Sequence, residues 1–420
     1  MSSLLFLAAR SAWNRRLTLG MTLISVALSV TLLLAVERVR HEARASFAQS
    51  VAGTDLVVGA RSSPVQLMLY AVFRLGEATN NIRWPSYRAI ADNPAVAWAI
   101  PLSLGDSHHG FPVISTSPAY FEHFHYGDSQ ALAFSAGKPF ADLFDAVLGA
   151  EVAERLGYHV GDRIVLNHGM GEVSLAEHTD KPFTVVGILA RTGTPLDRSV
   201  HIGLQAMEAI HLDRPGGAPL PGLAIPAEYV RKFDLTPKEI TAVLVGLKSR
   251  AAVFKVQRQI NAYAAEPLLA VLPGVALDQL WQVVAMAERT LLAVSAMVVA
   301  VGLCGLVAVV LASLGERRRE LAILRSVGAR PVEVFLLLSA EGLFITALGA
   351  LLGLALLTLL AVLLGPLAQA HFGLVIRATW ISLDELVLLA AVVGVGLVAS
   401  LLPGYRAYRL SLADGLMPRL

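Results

Sequence analysis

Histidine is the residue type in this chain whose spacing most suggests chemistry. His108 and His109 are adjacent between Gly105 and Gly110. His123 and His125 are separated by a single residue, an i, i+2 spacing that puts both imidazoles on one face if the segment is a strand. His168 and His178 lie in a second glycine-rich stretch, and Asp106, Glu122 and Asp128 are near in sequence. Imidazole nitrogens joined by carboxylate oxygens suit zinc and similar divalent ions. The candidate ligands are His108, His109, His123 and His125. The competing reading is a set of solvated loop histidines, since paired spacing without a full ligand set does not specify a metal.

Other chemistries find no support. The sequence contains no G-x-x-x-x-G-K-[ST], so it has no phosphate-cradling loop of that kind. It also lacks G-x-S-x-G, H-E-x-x-H and C-x-x-C. The single cysteine, Cys304, lies in an apolar run, which excludes an intramolecular disulfide and fits a small packing residue. A net charge of +2 gives no reason to expect nucleic acid as a partner. The chain reads as non-catalytic, with no cofactor of its own unless the histidines hold zinc.

The elements that position these residues follow from hydropathy. Of 420 residues, 55% are hydrophobic and 16% charged, which fits a few membrane spans joined to a large polar portion. Four apolar runs are long enough to cross a bilayer as helices, at 17–38, 284–315, 334–366 and 384–405. Residues 1–16 read as an amphipathic helix in the membrane interface. A cleaved signal peptide is the rival for the first run. The cleavage-like Ala43-Arg44-Ala45 lies beyond Glu37, Arg38, Arg40 and Glu42, however, so an uncleaved span is favoured. Arg10, Arg15 and Arg16 before the first span, and Arg406, Arg409 and Arg419 in the 406–420 tail, place both ends in the cytosol. Gly365-Pro366 is expected to end the third span, leaving a short outer loop over 367–383. The fold class is thus integral membrane α-helical, with four transmembrane helices and a large α+β extracytoplasmic domain between helices 1 and 2.

That domain, residues 39–283, is large enough for its own core. It reads as an α/β base carrying a mainly β insertion over about 111–225. Residues 53–59, 163–166 and 183–189 read as strands, and 86–90 and 240–263 as helical or mixed. The apolar stretch between Arg61 and Asn81 reads as a buried amphipathic helix, with a partner or lipid contact as the alternative.

Between the second and third spans lies a short charged segment, Glu316 to Arg330. It holds Arg317, Arg318, Arg319, Arg325 and Arg330 against Glu316 and Glu320. Leu321, Ile323, Leu324 and Val327 recur near helical spacing, and Gly328 with Pro331 closes the pattern. An arginine-rich loop beside a span stays in the cytosol. The sequence ERRRELAILRSVGARPVEVFLLLSAEGLFITALGALLGL resembles the signature of the FtsX-like, or MacB-like, permeases of ABC transporters. Residues 146–166 and 183–204 extend the resemblance in the same order along the chain, and in the first of them the resemblance implies a helix ended by Gly157 and a turn at Gly161-Asp162.

The resemblance implies a coupling helix over 316–333 that docks in a cleft of a separate ABC ATPase, which would hold ATP and magnesium. Glu316, Arg318, Arg319, Glu320, Leu321, Leu324, Arg325, Val327 and Gly328 would make that contact. Glu341 and Gly342 would then be structural, with a proton or ion pathway as the alternative for Glu341, while Gly349 and Gly353 form a small-xxx-small pair suited to close helix packing. It implies a second permease copy, identical or related, in the inner membrane. The outer domain would move under ATP hydrolysis and act on a lipoprotein, a hydrophobic compound or a periplasmic partner. Two other readings remain open at this point: an ATPase-coupled scaffold that regulates a periplasmic enzyme, and a component of a zinc-linked transport system.

Overall fold

The computed structural model describes residues 16–50, 52–127, 129–168, 180–213, 225–316, 323, 325–326, 328–372 and 381–409. The interfacial segment before Arg16, the 410–420 end of the tail and His178 lie outside them. The chain divides into a membrane unit (up to Glu42, Ala285–Gln369, and from Ile376) and an outer unit (Ala43–Val284 with Ala370–Val375).

Four helices build the membrane unit, spanning Arg16–Gln49, Pro273–Glu316, Pro331–Phe372 and Leu383–Arg409. Each contains a window long and apolar enough to cross a bilayer. In the first, Val26, Val30, Leu33 and Leu34 turn inward at helical spacing, while Met21, Ile24 and Leu28 face out. The inward residues pack with Val299, Leu303 and Leu306 of the second helix, Ile345 of the third and Val392 of the fourth. Both faces are apolar, as a helix packed on protein and bathed in lipid requires.

Two expectations change here. Cys304 is exposed rather than packed, because its neighbours Leu303 and Leu306 occupy the inward face. Gly365-Pro366 does not end the third helix, which runs through Pro366 to Phe372. A single proline removes one helical hydrogen bond, and membrane helices tolerate that loss. The first two helices have 34 and 44 residues. At about 1.5 Å per residue they are about 50 and 65 Å long, well beyond a hydrocarbon core of roughly 30 Å.

The outer unit is organised on one eleven-stranded mixed sheet. Its order runs Leu268–Val271, Leu56–Ala60, Ala242–Leu247, Val96–His108, Phe111–Thr116, Val200–Gly203, Asp145–Leu148, Phe183–Leu189 and Phe134–Gly137. Asn167–His168 adds beside Val96–His108, and Arg163–Ile164 beside Phe183–Leu189. Base and insertion are therefore not separate sheets. The 13-residue strand Val96–His108 carries hydrogen bonding from one to the other. Phe183–Leu189 alternates buried and half-buried positions, the pattern of a strand with one face on a core. Gly157 caps the helix Ala150–Leu156 at φ +71°, a left-handed position suited to glycine. Pro64–Ala71 is a helix that buries Leu67, Met68 and Tyr70 in the core.

Candidate functional site

The segment between the second and third membrane helices is helical at Ile323, Arg325 and Ser326. Ile323 and Ser326 are exposed, and Ser326 Oγ donates to the Ile323 carbonyl at 2.8 Å. Gly328 closes the turn at φ +107°, its N–H donating to the Arg325 carbonyl at 3.1 Å. Only glycine adopts that φ without strain. Pro331 then opens the third helix, and the Arg330 N–H donates to Glu333 Oε2 at 2.9 Å. Glu316 is the last residue of the second helix. Arg318, Arg319, Glu320, Leu321, Leu324 and Val327 lie outside the described residues.

Glycine sets the contacts among the membrane helices. A methyl group at Gly349 would meet Val26 Cγ1 at 2.7 Å, and one at Gly353 would meet the Ala27 carbonyl oxygen at 2.7 Å. At Gly342 it would meet Ser400 Cβ at 2.5 Å. Thr31 Oγ1 lies 3.0 Å from the Gly353 carbonyl oxygen and 2.8 Å from that of Ala27, so the crossing at Gly353 is also hydrogen-bonded. Glu341 is half-buried beside Gly342.

Beyond the apolar runs sits an ionic cluster that sequence reasoning passed over as flanking charge. Arg38 Nε and Nη2 donate to Glu385 Oε1 and Oε2 at 2.7 and 3.0 Å, a two-pronged pair buried on both sides. Arg40 pairs with Glu37 at 2.5 Å and approaches Glu288 of the second helix at 4.0 Å. Glu385 is held by a capping box: its N–H donates to Ser382 Oγ, and the Ser382 N–H donates to Glu385 Oε2, each at 3.1 Å. Ser-x-x-Glu ahead of an apolar run is the readable signature of that motif.

The four histidines expected to hold zinc are not brought together. His108 and His109 do not share a glycine loop. His108 ends a strand, and His109-Gly110, at φ +47° and +79°, forms the tip of a two-residue hairpin. Consecutive positive φ values are what such tips need, and histidine tolerates them better than most residues. His108 Nδ1 bonds the Val165 carbonyl at 2.7 Å, and its Nε2 lies 3.2 Å from the Tyr158 hydroxyl. Burial, followed by the neighbouring His109, holds the His108 pKa down at about 4. His123 closes the short helix Ala119–His123 and stacks on Trp98, whereas His125 begins the strand after it. The i, i+2 pair therefore shares no strand face. His201 is fully buried against Tyr120 and Phe121, and burial together with the Arg74 charge lowers its pKa to about 3.

Among the described residues, the histidines that do meet around a carboxylate are His168 and His211, at Asp106. Burial lowers the His211 pKa, but the hydrogen bond and charge of Asp106 outweigh it, and the net shift is upward. His211 stands alone in sequence, so no pair spacing marks it.

Comparison with known proteins adds a separate line of observation. Residues 17–263 match the family model of the MacB-like periplasmic core domain, and residues 292–412 match that of the FtsX-like permease C-terminal region. Among solved structures, the chain is similar to the periplasmic region of MacB from Actinobacillus actinomycetemcomitans. That match has 8% identity and a TM-score of 0.33, covering 55% of this chain and 94% of that one. A second is the extracellular domain of the noncanonic ABC-type transporter YknZ from Gram-positive bacteria, with 12% identity and a TM-score of 0.29, covering 52% of this chain and 99% of that one. No curated protein matches the chain.

Proposed function

The chain belongs to the FtsX-like ABC permease family with a MacB-like periplasmic core domain, and from that premise we propose that it converts the ATPase cycle of a separate subunit into movement of its outer domain. The observation carrying this reading is the basic segment between the second and third membrane helices, inside the FtsX-like match at 292–412. Its described part is a helical turn with exposed Ile323 and Ser326, ended by a glycine that no other residue replaces without strain. An apolar edge of Leu321, Leu324 and Val327 fills a groove on the ATPase, and Arg318, Arg319 and Arg325 meet acidic groups at its rim. The lengths of the first two helices support transmission, since each extends well past a bilayer.

The working unit pairs two permease copies with two ATPases in the inner membrane, and ATP with magnesium is held by the partner. The outer domain acts on a lipoprotein, a hydrophobic compound or a periplasmic protein. The arginine distribution supports cytosolic termini. A cytosolic reporter fused after Ala329 is therefore expected to be active, as is a secreted reporter placed within 106–216.

The decisive experiment compares wild type with Leu324→Asp in nanodiscs, reading ATPase copurification and stimulated hydrolysis. An apolar anchor truncated at an interface commonly costs about 2 kcal/mol or more, and a buried charge costs at least as much. The variant is expected to lose stimulation while all four helices stay inserted. Undiminished binding and stimulation would reduce the segment to an ordinary basic loop.

A further inference from the structure

We propose that Asp106, His168 and His211 form a binding site for one divalent transition-metal ion of the zinc class in the outer unit. The site is assembled from three elements distant in sequence. Asp106 lies in the strand Val96–His108, where the register with Phe111–Thr116 slips between Leu104 and Ser107. Gly105 and Asp106 oppose a single residue there, which makes the position a β-bulge, a device that re-aims a side chain. His168 is the direct cross-strand partner of Asp106 on Asn167–His168. His211 is the last residue of the helix Leu204–His211, where the unpaired carbonyls of a helix end favour positive charge.

The donor atoms converge at ion-binding distances. His168 Nδ1 is 3.1 Å from Asp106 Oδ1 and 3.0 Å from His211 Nε2, and His211 Nε2 is 3.4 Å from Asp106 Oδ1. Zinc holds nitrogen and oxygen ligands at about 2.0–2.1 Å, so a tetrahedral site has neighbouring donors about 3.3–3.4 Å apart. The triangle needs to open by only a few tenths of an ångström to accept the ion.

Hydrogen bonding on the far side of His211 strengthens the assignment. Its Nδ1 lies 2.9 Å from the Met207 carbonyl oxygen, which can only accept, so Nδ1 carries a proton. In neutral His211 the Nε2 lone pair then points at a fully buried carboxylate oxygen and at a second imidazole nitrogen. A divalent ion at the centre would take the place of the proton that the three atoms otherwise share. A backbone carbonyl that fixes the tautomer of a ligand histidine is the usual supporting contact of metal sites. The His168 and His211 side chains are 33% and 27% exposed, so an ion can reach them from solvent. Two imidazoles and one carboxylate favour zinc, cobalt or nickel over calcium and magnesium, which prefer oxygen-only sets.

The test uses the full chain in nanodiscs, purified through a tag without histidine, stripped with chelator and titrated with cobalt(II) as an optical stand-in for zinc. The expected result is a strong visible ligand-field band that saturates near one equivalent and is abolished by added zinc. His168→Ala, His211→Ala and Asp106→Asn should each weaken uptake at least tenfold. His109→Ala and His123→Ala should leave it unchanged. Thermal unfolding of each variant in chelator reports whether it folds, and the wild-type titration stands independently of the variants. Failure of wild type to develop the band overturns the site, and so does a band that survives His211→Ala in a folded protein. Neither outcome depends on the ATPase, so the site can fail while the permease reading stands.

Discussion

The membrane unit and the outer unit solve the same packing problem in different solvents. In the membrane unit the close approaches run through Gly342, Gly349 and Gly353, where a methyl group would strike a neighbouring helix within 3 Å. In the outer unit the sheet closes on large side chains such as Ile100, Leu102, Ile114 and Tyr120. Lipid is as apolar as leucine, so burying leucine between membrane helices gains little, and backbone proximity supplies the attraction instead. Water surrounds the outer unit, and each apolar square ångström removed from it contributes about 25 cal/mol. Their buried cations differ in the same sense. Arg38 meets Glu385 through two hydrogen bonds, whereas Arg74 is buried beside Tyr120 and the neutral His201.

The largest effect is expected from cutting the membrane pair. Arg38→Ala leaves Glu385 buried without its partner and should cost about 3–5 kcal/mol. The cost would be read as a lowered unfolding midpoint in detergent. The double variant Arg38→Met with Glu385→Leu should recover most of the loss. If the single and double variants melt alike, the pair is not what holds these helix ends together.

Acid should act on the outer unit next. His201 and His108 are held neutral in the fold, with pKa values of about 3 and about 4, against an ordinary value of 6.5. A group whose folded pKa is depressed binds more protons when unfolded. The stability tied to it is full above pH about 6.5 and drains away as pH falls toward 4 and below. Tryptophan fluorescence melts across that window should show the midpoint dropping, and His201→Phe should flatten the slope. An unchanged slope in the variant would mean another group sets the acid limit.

A smaller effect distinguishes two glycines of similar appearance. Gly353→Leu must push the third helix off the first, at a cost of about 1–3 kcal/mol. Gly394→Leu has open space around it and should be neutral or slightly stabilising. Equal melting of the two would argue against packing through Gly353. The smallest effect belongs to Arg231→Ala, which breaks an exposed pair with Asp142 at 2.6 Å. The chemistry matches Arg38–Glu385, yet solvent screening limits it to about 0–1 kcal/mol.

What the sequence made legible follows from the range of the forces involved. The four spans, the strand Phe183–Leu189 and the glycine stop at Gly157 depend on local period and local φ, and they can be read in a window of a dozen residues. The His109-Gly110 tip is equally local, but two histidines between two glycines carry no hairpin signal as strong as Asn-Gly or Asp-Gly. The Asp106–His168–His211 group was hidden for a different reason. Its members are brought together by the strand pairing His168↔Asp106 and by helix placement, neither of which leaves a spacing signal. The Arg38–Glu385 pair spans 347 positions, and only the Ser382-x-x-Glu385 cap gave a local hint of it.

The continuous sheet also bears on how the outer unit can be taken apart. Val96–His108 has partners along both edges, with Ala242–Leu247 on one side and Phe111–Thr116, from the region first read as an insertion, on the other. Excising residues 111–225 would therefore strip Leu102–His108 of its partner strand and leave its amide and carbonyl groups open to any passing chain. The outer unit is not a base with a detachable module. Mix-and-match exchange of the 111–225 region between relatives would have to carry the pairing strand with it, or the product would associate edge to edge.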